Sequence, residues 1–256
     1  VCAVAITLGV NPWIALLLAV IAGMLAGFVT GILHTACGIP AILSGILTQL
    51  ALYSVNLRIM TGKANQAISV DKYDLLVSQR YARDLSLDNP MLIAVVILVV
   101  LIGILYWFFG TERGSSIRAT GANVHMARAQ GINTNVRKVL GLVISNGMVA
   151  LSGGLIAQYQ GGATIDMGRG AIVIGLAAVI IGEVLFSKIF RNFALRLVSV
   201  VIGAILYYVV IALVIQLGLN TDDLKLFSAA FVALALFVPH WKQRHAAKAL
   251  RKGGKR

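Results

Sequence analysis

The sequence predicts an all-α protein, a polytopic bundle of transmembrane helices with about eight membrane segments. Of its 256 residues, 59% are hydrophobic and only 12% are charged, whereas an ordinary globular domain carries about 25% charged residues. Long uncharged runs recur along the chain, and the Lys and Arg residues between them collect mainly on one side. These observations predict an integral membrane protein rather than one with a soluble core.

The predicted segments follow the uncharged apolar runs. A spanning helix needs about 20 residues, and a helix is the expected form because lipid offers no partner to free backbone groups. The main runs are 13–33, 40–57, 91–110, 139–163, 170–186, 197–218 and 226–241. One more run, 1–10, is too short to cross, so we expect it to be part of a longer helix whose start is missing. A signal-peptide core is the alternative, without the usual basic flank.

Basic residues divide unequally between the two sides of these segments. If the loops alternate, one side holds 34–39, 111–138, 187–196 and the tail 242–256. That side carries 15 Lys and Arg residues against Glu112 and Glu183, while the other side carries seven basic and seven acidic residues. The net charge of +13 then lies on one side, which the positive-inside rule identifies as the cytoplasm. We therefore predict a membrane domain over 1–241 and a basic cytoplasmic C-terminal tail that lies on lipid headgroups rather than on nucleic acid.

Two loops are long enough to fold. The extracytoplasmic loop 61–90 contains Tyr73 and Tyr81 and has balanced charge, which suits a folded cap, a docking surface or a plain connector. Residues 111–138, called the basic segment below, are rich in helix-forming Ala, Met and Gln, and Gly121 and Gly131 bracket a turn. A short helix exposed on the cytoplasmic face is a natural docking surface for a soluble partner.

Three glycines recur at helical spacing in the first long run. Gly23, Gly27 and Gly31 form two overlapping GxxxG steps on one helix face. Because no hydrophobic force drives helices together in lipid, close approach through small residues holds a bundle together. We therefore predict that these glycines pack one helix against another.

Neutral polar residues also lie inside the runs. Gln49 and Asn56 belong to the second run, and Asn146 and Gln158 to the fourth. An unpaired amide is costly to bury, so these side chains should face one another, the backbone or a wet cavity. They are candidates for a translocation pathway, and hydrogen bonding between helices explains them equally well.

Signals for catalysis are absent from the sequence. It contains no GxxxxGK phosphate loop, no HExxH zinc motif and no GxSxG nucleophile turn. Cys2 and Cys37 indicate neither a disulfide framework nor a metal site. Glu183 is the one carboxylate inside a run, better explained by pairing with a nearby base than by proton transfer. We predict no catalytic residue and no metal, so any uphill transport takes its energy from another chain or from an ion gradient.

The basic segment carries a family likeness. Its residues Arg118-Ala-Thr-Gly121-Ala-Asn123, then Ala127-Arg128 and Gly131-Ile132-Asn133, stand before a helix containing Ser152-Gly-Gly154. This pattern resembles the cytoplasmic coupling segment of ABC importer permeases of the branched-chain amino acid/ribose type. The likeness covers nearly the whole chain and is strongest to the subgroup described as tryptophan/tyrosine or uncharacterised importers.

The resemblance implies a division of labour between subunits. Two permease copies, most simply a homodimer, form the pathway in the bacterial cytoplasmic membrane. Separate cytoplasmic ATPase subunits bind ATP and Mg²⁺, so this chain binds no cofactor itself, and an extracytoplasmic lipoprotein delivers the solute. The segment 121–131 would be the coupling helix that docks on the ATPase. The resemblance assigns this role to Arg118, Gly121, Asn123, Ala127, Arg128 and Gly131.

The solute is expected to be an amino acid, with an aromatic one as the first expectation from the subgroup. A sugar or nucleoside is the alternative solute. An ion-coupled secondary carrier is a different class of protein, and it would transport without any ATPase. A membrane-embedded enzyme or scaffold is a third class, which the missing catalytic clusters disfavour.

Overall fold

The computed structural model describes residues 1–69, 73, 75–78, 89–168, 171–186, 192–216, 230 and 233, with side chains from residue 174 onward in the 171–186 stretch. The chain divides into two compact units, Val1–Met167 and Gly168–Arg256. The predicted segment 226–241 and the tail 242–256 lie outside the described residues, apart from residues 230 and 233.

The described part of the chain is mostly helical. In chain order the helices are α1 (Cys2–Thr7), α2 (Pro12–Thr35), α3 (Ala41–Ile59), α4 (Pro90–Gly110), α5 (Glu112–Ala122), α6 (Val124–Ala129), α7 (Thr134–Gln160), α8 (Ala171–Phe186) and α9 (Phe193–Gln216). Two short strands, β1 (Asn65–Ala67) and β2 (Gly162–Thr164), form an antiparallel pair with Gln66 opposite Ala163.

Five of the described helices, α2, α3, α4, α7 and α9, are long and apolar enough to cross a membrane. They coincide with five of the predicted runs, which confirms a polytopic helical bundle. The count of eight segments is not confirmed, because α8 has 16 described residues and α1 has six.

Helix ends follow local capping chemistry. Asn11 caps α2, accepting a hydrogen bond from the Trp13 amide at 3.0 Å, and Pro12 follows at the first helical position. Asn89 and Pro90 begin α4 in the same way. At the other end of α7, Gly161 adopts a left-handed conformation (φ 67°), which ends the helix before β2 starts. The run predicted as 139–163 is therefore a helix only as far as Gln160.

Within the first unit, α2 and α7 form the main helix pair. A Cβ atom added at Gly23 would collide with Ala150, one at Gly27 would lie 2.5 Å from the carbonyl oxygen of Leu142, and one at Gly31 would meet Val139 at 3.0 Å. The α2 backbone therefore lies directly on α7 along three successive turns.

The neighbouring contacts of the first unit are lighter. α3 packs on α2, where the Thr30 hydroxyl donates to the Thr48 hydroxyl oxygen at 2.9 Å. α5 packs on α7, with Ile117 beside Gly141.

The second unit contains another close helix pair, α8 and α9. A Cβ atom on Gly182 would collide with the backbone of Ser199, and one on Gly203 with the carbonyl oxygen of Ala178. Tyr207 and Ala177 are buried in this contact. Small residues again set the distance between two apolar helices.

Candidate functional site

The basic segment is built from two consecutive helices and the first turn of α7. Thr111 ends α4 and begins α5: its hydroxyl donates to the Phe108 carbonyl at 2.6 Å and accepts from the Gly114 amide at 3.3 Å. Any side chain at Gly114 would collide with the backbone of Phe108 and Phe109. The first turn of α5 is thus packed directly against the last turn of α4.

The short helix of this segment is α6, and both of its ends are capped. The side chain of Asn123 accepts hydrogen bonds from the amides of His125 and Met126, at 3.0 and 3.1 Å. At the other end, Gly131 has φ 77° and the Ile132 amide bonds back to the Ala127 carbonyl at 3.0 Å. This is the glycine-terminated helix ending that satisfies orphan carbonyls.

The helix predicted over 121–131 is therefore shorter than the sequence indicated. Gly121 lies inside the last helical turn of α5 and does not end that helix, because α5 continues through Ala122. The Thr120 hydroxyl donates to the Ser116 carbonyl of its own helix at 2.8 Å, whereas the Asn123 side chain accepts from the first amides of α6 and is a strong helix N-cap. Asn123 and Gly131 are the residues that delimit α6.

Arg128 links α6 to α7. Its Nε donates a hydrogen bond to the hydroxyl oxygen of Thr134 at 3.0 Å. Thr134 is the first residue of α7 and is buried. Ala127, the neighbour of Arg128 in α6, is also fully buried. Arg118 lies exposed on α5. Of the six residues predicted for docking, Ala127 is thus buried, while the other five are exposed.

The exposed surface of α6 combines basic and apolar groups. His125, Met126 and Arg128 all lie at the surface, and half of Met126 is exposed. A flexible thioether beside a guanidinium is well suited to an adaptable protein contact.

α7 connects the basic segment to a cavity in the first unit. Its 27 residues span about 40 Å at 1.5 Å per residue. The cavity has a volume of about 290 Å³ and lies among α1, α2, α3 and α7. Its wall includes Cys2, Ala22, Gly23, Asn56, Ala150 and Gly154. Small residues of the tightly packed α2 and α7 thus form much of this wall.

The four amide residues predicted for a pathway have different environments. Asn56 lines the cavity. Gln49 is exposed on α3, one turn before the cavity-lining Leu52. Asn146 is half-buried at the α2–α7 contact and donates to its own helix, to the Leu142 carbonyl at 2.9 Å. The sequence did not distinguish these environments.

Gln158 is fully buried and has partners on three separate segments. Its Oε1 accepts from the Leu76 amide at 3.1 Å, and its Nε2 donates to the Pro12 carbonyl at 3.4 Å and to the sulfur of Cys2 at 3.6 Å. Gln158 therefore holds the 61–90 loop and the start of α2 against the end of α7. Sequence reasoning missed this cluster.

The same end of α7 is fastened to the 61–90 loop by backbone bonds. β1 pairs with β2, and the Ile68 amide bonds to the Gly161 carbonyl at 2.8 Å. The Tyr73 hydroxyl also donates to the Thr7 carbonyl at 3.1 Å. The described part of this loop is thus a folded cap over α1 and α7. Tyr81 lies outside the described residues.

Among the described residues, no three His, Cys, Asp or Glu side chains cluster closely enough to hold a metal ion. Glu183 lies exposed on α8, and Lys188, its nearest basic residue in sequence, lies outside the described part.

Comparison with known proteins gives a consistent match. A family model described as "Branched-chain amino acid transport system / permease component" matches residues 1–238. The chain is 37% identical to a tyrosine transport system permease protein of Clostridioides difficile, over 90% of this chain and 74% of that protein. It is 33% identical to the uncharacterised protein RP368 of Rickettsia prowazekii, over 87% and 77%.

A more distant relative is the autoinducer 2 import system permease protein LsrC of Yersinia pestis. It is 31% identical over 62% of this chain and 45% of its own length. No solved structure matches the chain.

Proposed function

The chain belongs to the family of branched-chain amino acid transport permease components, and from that membership we propose that it forms the translocation pathway of an ATP-driven importer. Membership makes it a membrane-embedded permease subunit of an ABC-type transporter for small solutes, and not an enzyme. The finer proposal is a homodimer in the bacterial cytoplasmic membrane, with its C-terminus in the cytoplasm. Separate ATPase subunits then bind ATP and Mg²⁺, and an extracytoplasmic lipoprotein delivers the solute.

We propose that α6 docks on the ATPase and that α7 carries the movement. The observation that supports this most directly is that α7 begins at the Arg128–Thr134 hydrogen bond and ends in the wall of the cavity. A helix capped at both ends moves as a rigid piece, whereas an unstructured loop would absorb a push from the ATPase. Because α2 lies directly on α7, tilting α7 would move both walls of the cavity.

The solute is proposed to be an amino acid, with tyrosine as the first to test. The relative that shares 37% identity carries the name of a tyrosine transport permease. The cavity wall supports a solute with an apolar part, because small apolar residues form most of it. A sugar or nucleoside is the alternative solute, and the relative that shares 31% identity carries the name of an autoinducer 2 import permease.

The test is reconstitution with the proteins encoded beside this permease. The chain would be purified with the ATPase and the binding lipoprotein, placed in liposomes, and supplied with radiolabelled tyrosine, leucine or ribose. We expect ATP-dependent uptake of tyrosine. A matched preparation with a hydrolysis-deficient ATPase should show none.

Two results would count against the proposal. Uptake by the permease alone, driven by an ion gradient, would identify a secondary carrier. Failure to bind any ATPase while transporting actively would exclude the importer. Uptake of ribose without tyrosine would retain the importer and change its solute class.

A further inference from the structure

α3 differs from the other candidate spans. Its mean hydropathy of 1.3 is the lowest of the five, against 1.9 to 3.0 for the rest, and little of it is buried within the chain. Its buried residues are Ser44 and Thr48, and Thr48 accepts a hydrogen bond from Thr30 of α2. The residues on the side of α3 that faces away from α2 must therefore match the surroundings of the helix rather than the rest of the chain.

Three polar side chains share one face of α3. Gln49, Tyr53 and Asn56 stand at positions i, i+4 and i+7, which places them within about 60° of one another around a helix of 3.6 residues per turn. All three are exposed, and 47% of Tyr53 is accessible. We call these three residues the polar stripe. The sequence analysis included Gln49 and Asn56 but not Tyr53, since a tyrosine in an apolar run carries no signal of its own.

The polar stripe is continuous with the cavity. Asn56 lines the cavity directly, and so does Leu52, which lies between Gln49 and Asn56 on the helix surface, three residues after the one and four before the other. By contrast, Leu47 is 40% exposed and projects about 120° or more away from every residue of the stripe. Amide and phenol groups that face hydrocarbon lose their hydrogen bonds to water. Facing a water-filled pathway is therefore energetically more favourable for the stripe than facing lipid.

We propose that the polar stripe extends the cavity along α3 as a water-facing wall that contacts the solute, with Tyr53 as a specificity-determining residue. This inference rests on the proposed function. The stripe offers amide and hydroxyl hydrogen-bond partners and one aromatic ring, and the cavity wall is small and apolar. Neither carries a charged side chain, so the class of solute that fits is an uncharged or zwitterionic molecule with an aromatic or apolar side group.

Water contact is tested by cysteine labelling in membrane vesicles that contain the whole importer. Cys2 and Cys37 are first replaced by Ala, and the background is checked for ATP hydrolysis. Gln49→Cys, Tyr53→Cys and Asn56→Cys are then exposed to a charged thiol reagent. Leu47→Cys and Ser54→Cys are the controls, at exposed positions of α3 about 100° or more from every residue of the stripe. We expect the stripe to react about tenfold faster than the controls, because charged reagents are excluded from hydrocarbon, and tyrosine to slow its reaction.

Specificity is tested by uptake. Tyr53→Leu should raise the KM for tyrosine about fivefold by removing the ring, whereas Tyr53→Phe, which keeps the ring, should change it less. Tyr208→Leu, at an exposed tyrosine of α9, is the matched control and should leave the KM unchanged.

The outcomes separate this inference from the proposed function. Equal reaction rates at stripe and control positions in an importer that takes up tyrosine would overturn the inference alone. Disulfides between stripe cysteines of two copies, with no effect of tyrosine, would also overturn it and assign the stripe to a subunit interface. Absence of any ATP-driven uptake would overturn the proposed function, even if the stripe proved accessible to water.

Discussion

The Nε of Arg128 donates a hydrogen bond to the hydroxyl oxygen of Thr134 at 3.0 Å, across the turn between α6 and α7. Thr134 is buried at the first position of α7, and Arg128 lies at the surface in the last turn of α6. One guanidinium nitrogen is used for this internal bond, so a partner protein would meet the same side chain that fixes the angle of the turn. A single residue thus belongs both to the surface of α6 and to the start of the long helix.

Replacing Arg128 with Glu should uncouple ATP hydrolysis from transport. The substitution removes the bond to Thr134 and reverses the charge on the surface of α6, so solute uptake should fall about tenfold or more, a loss typical of a broken charged contact. ATP hydrolysis and expression should persist. Uptake and hydrolysis are measured on the same proteoliposomes.

Two further variants show whether the charge of Arg128 or its hydrogen bond to Thr134 is responsible for coupling. Arg113→Glu makes the same charge change on an exposed residue of α5 and should leave coupling intact. Thr134→Val removes the hydrogen bond without changing the charge. If Arg128→Glu reduces the amount of folded protein as strongly as it reduces uptake, the residue has a structural role instead.

Replacing Asn123 with Ala should loosen α6. The side chain of Asn123 satisfies the amides of His125 and Met126, and losing such a cap costs about 1 kcal/mol. Hydrogen exchange of these two amides should therefore speed up by about fivefold, with coupling weakened. Asn123→Ser, which keeps a capping oxygen, should restore most of the protection. Unchanged exchange in the Ala variant would show that α6 does not depend on this cap.

Replacing Gly27 with Ala should separate α2 from α7. The new Cβ would lie 2.5 Å from the Leu142 carbonyl oxygen, and backbone cannot move aside as a flexible side chain can. Overpacking of this kind costs about 1–3 kcal/mol, so the melting temperature in detergent should fall.

The matched control for Gly27 is Gly45→Ala. Gly45 lies in α3 with no atom within 4 Å of the added Cβ, and alanine is intrinsically better than glycine in a helix by about 1 kcal/mol. This control should be neutral or slightly stabilising. Equal destabilisation of both variants would mean that glycine packing does not hold the α2–α7 pair.

Replacing Gln158 with Leu should release the folded part of the 61–90 loop. The variant leaves the Leu76 amide and the Pro12 carbonyl without their partner, at a cost of about 1–3 kcal/mol for a buried unpaired group. Hydrogen exchange at Leu76 and thermal unfolding both report the change. Gln160→Leu, at an exposed position two residues away, should affect neither. A stable Gln158→Leu variant with a protected Leu76 amide would contradict the assigned role.

Element positions were predictable where uninterrupted apolar length decided them. The run 91–110 became Pro90–Gly110 and the run 13–33 became Pro12–Thr35, since Asn–Pro pairs begin both helices. Thr111 ends the first of these helices, and the second ends at Ala36, shortly before the left-handed Gly38. The short helix predicted from Gly121 begins instead at Val124, because the capping side chain of Asn123 sets its start and α5 continues through Gly121. The β1–β2 pair was not predicted, since its three-residue strands lie about 100 residues apart and neither has a detectable pattern.

The sequence by itself determined that the chain is a membrane permease, because long apolar helices and a family pattern are local properties of the chain. Only the tertiary structure decided which polar residues are structural and which face a cavity. Gln158 and Gln49 are the same residue type in similar apolar runs, yet Gln158 is enclosed by groups 82 and 146 residues away, while Gln49 lies open on α3. The environment of an amide depends on the segments that fold against it, and no local pattern specifies those segments.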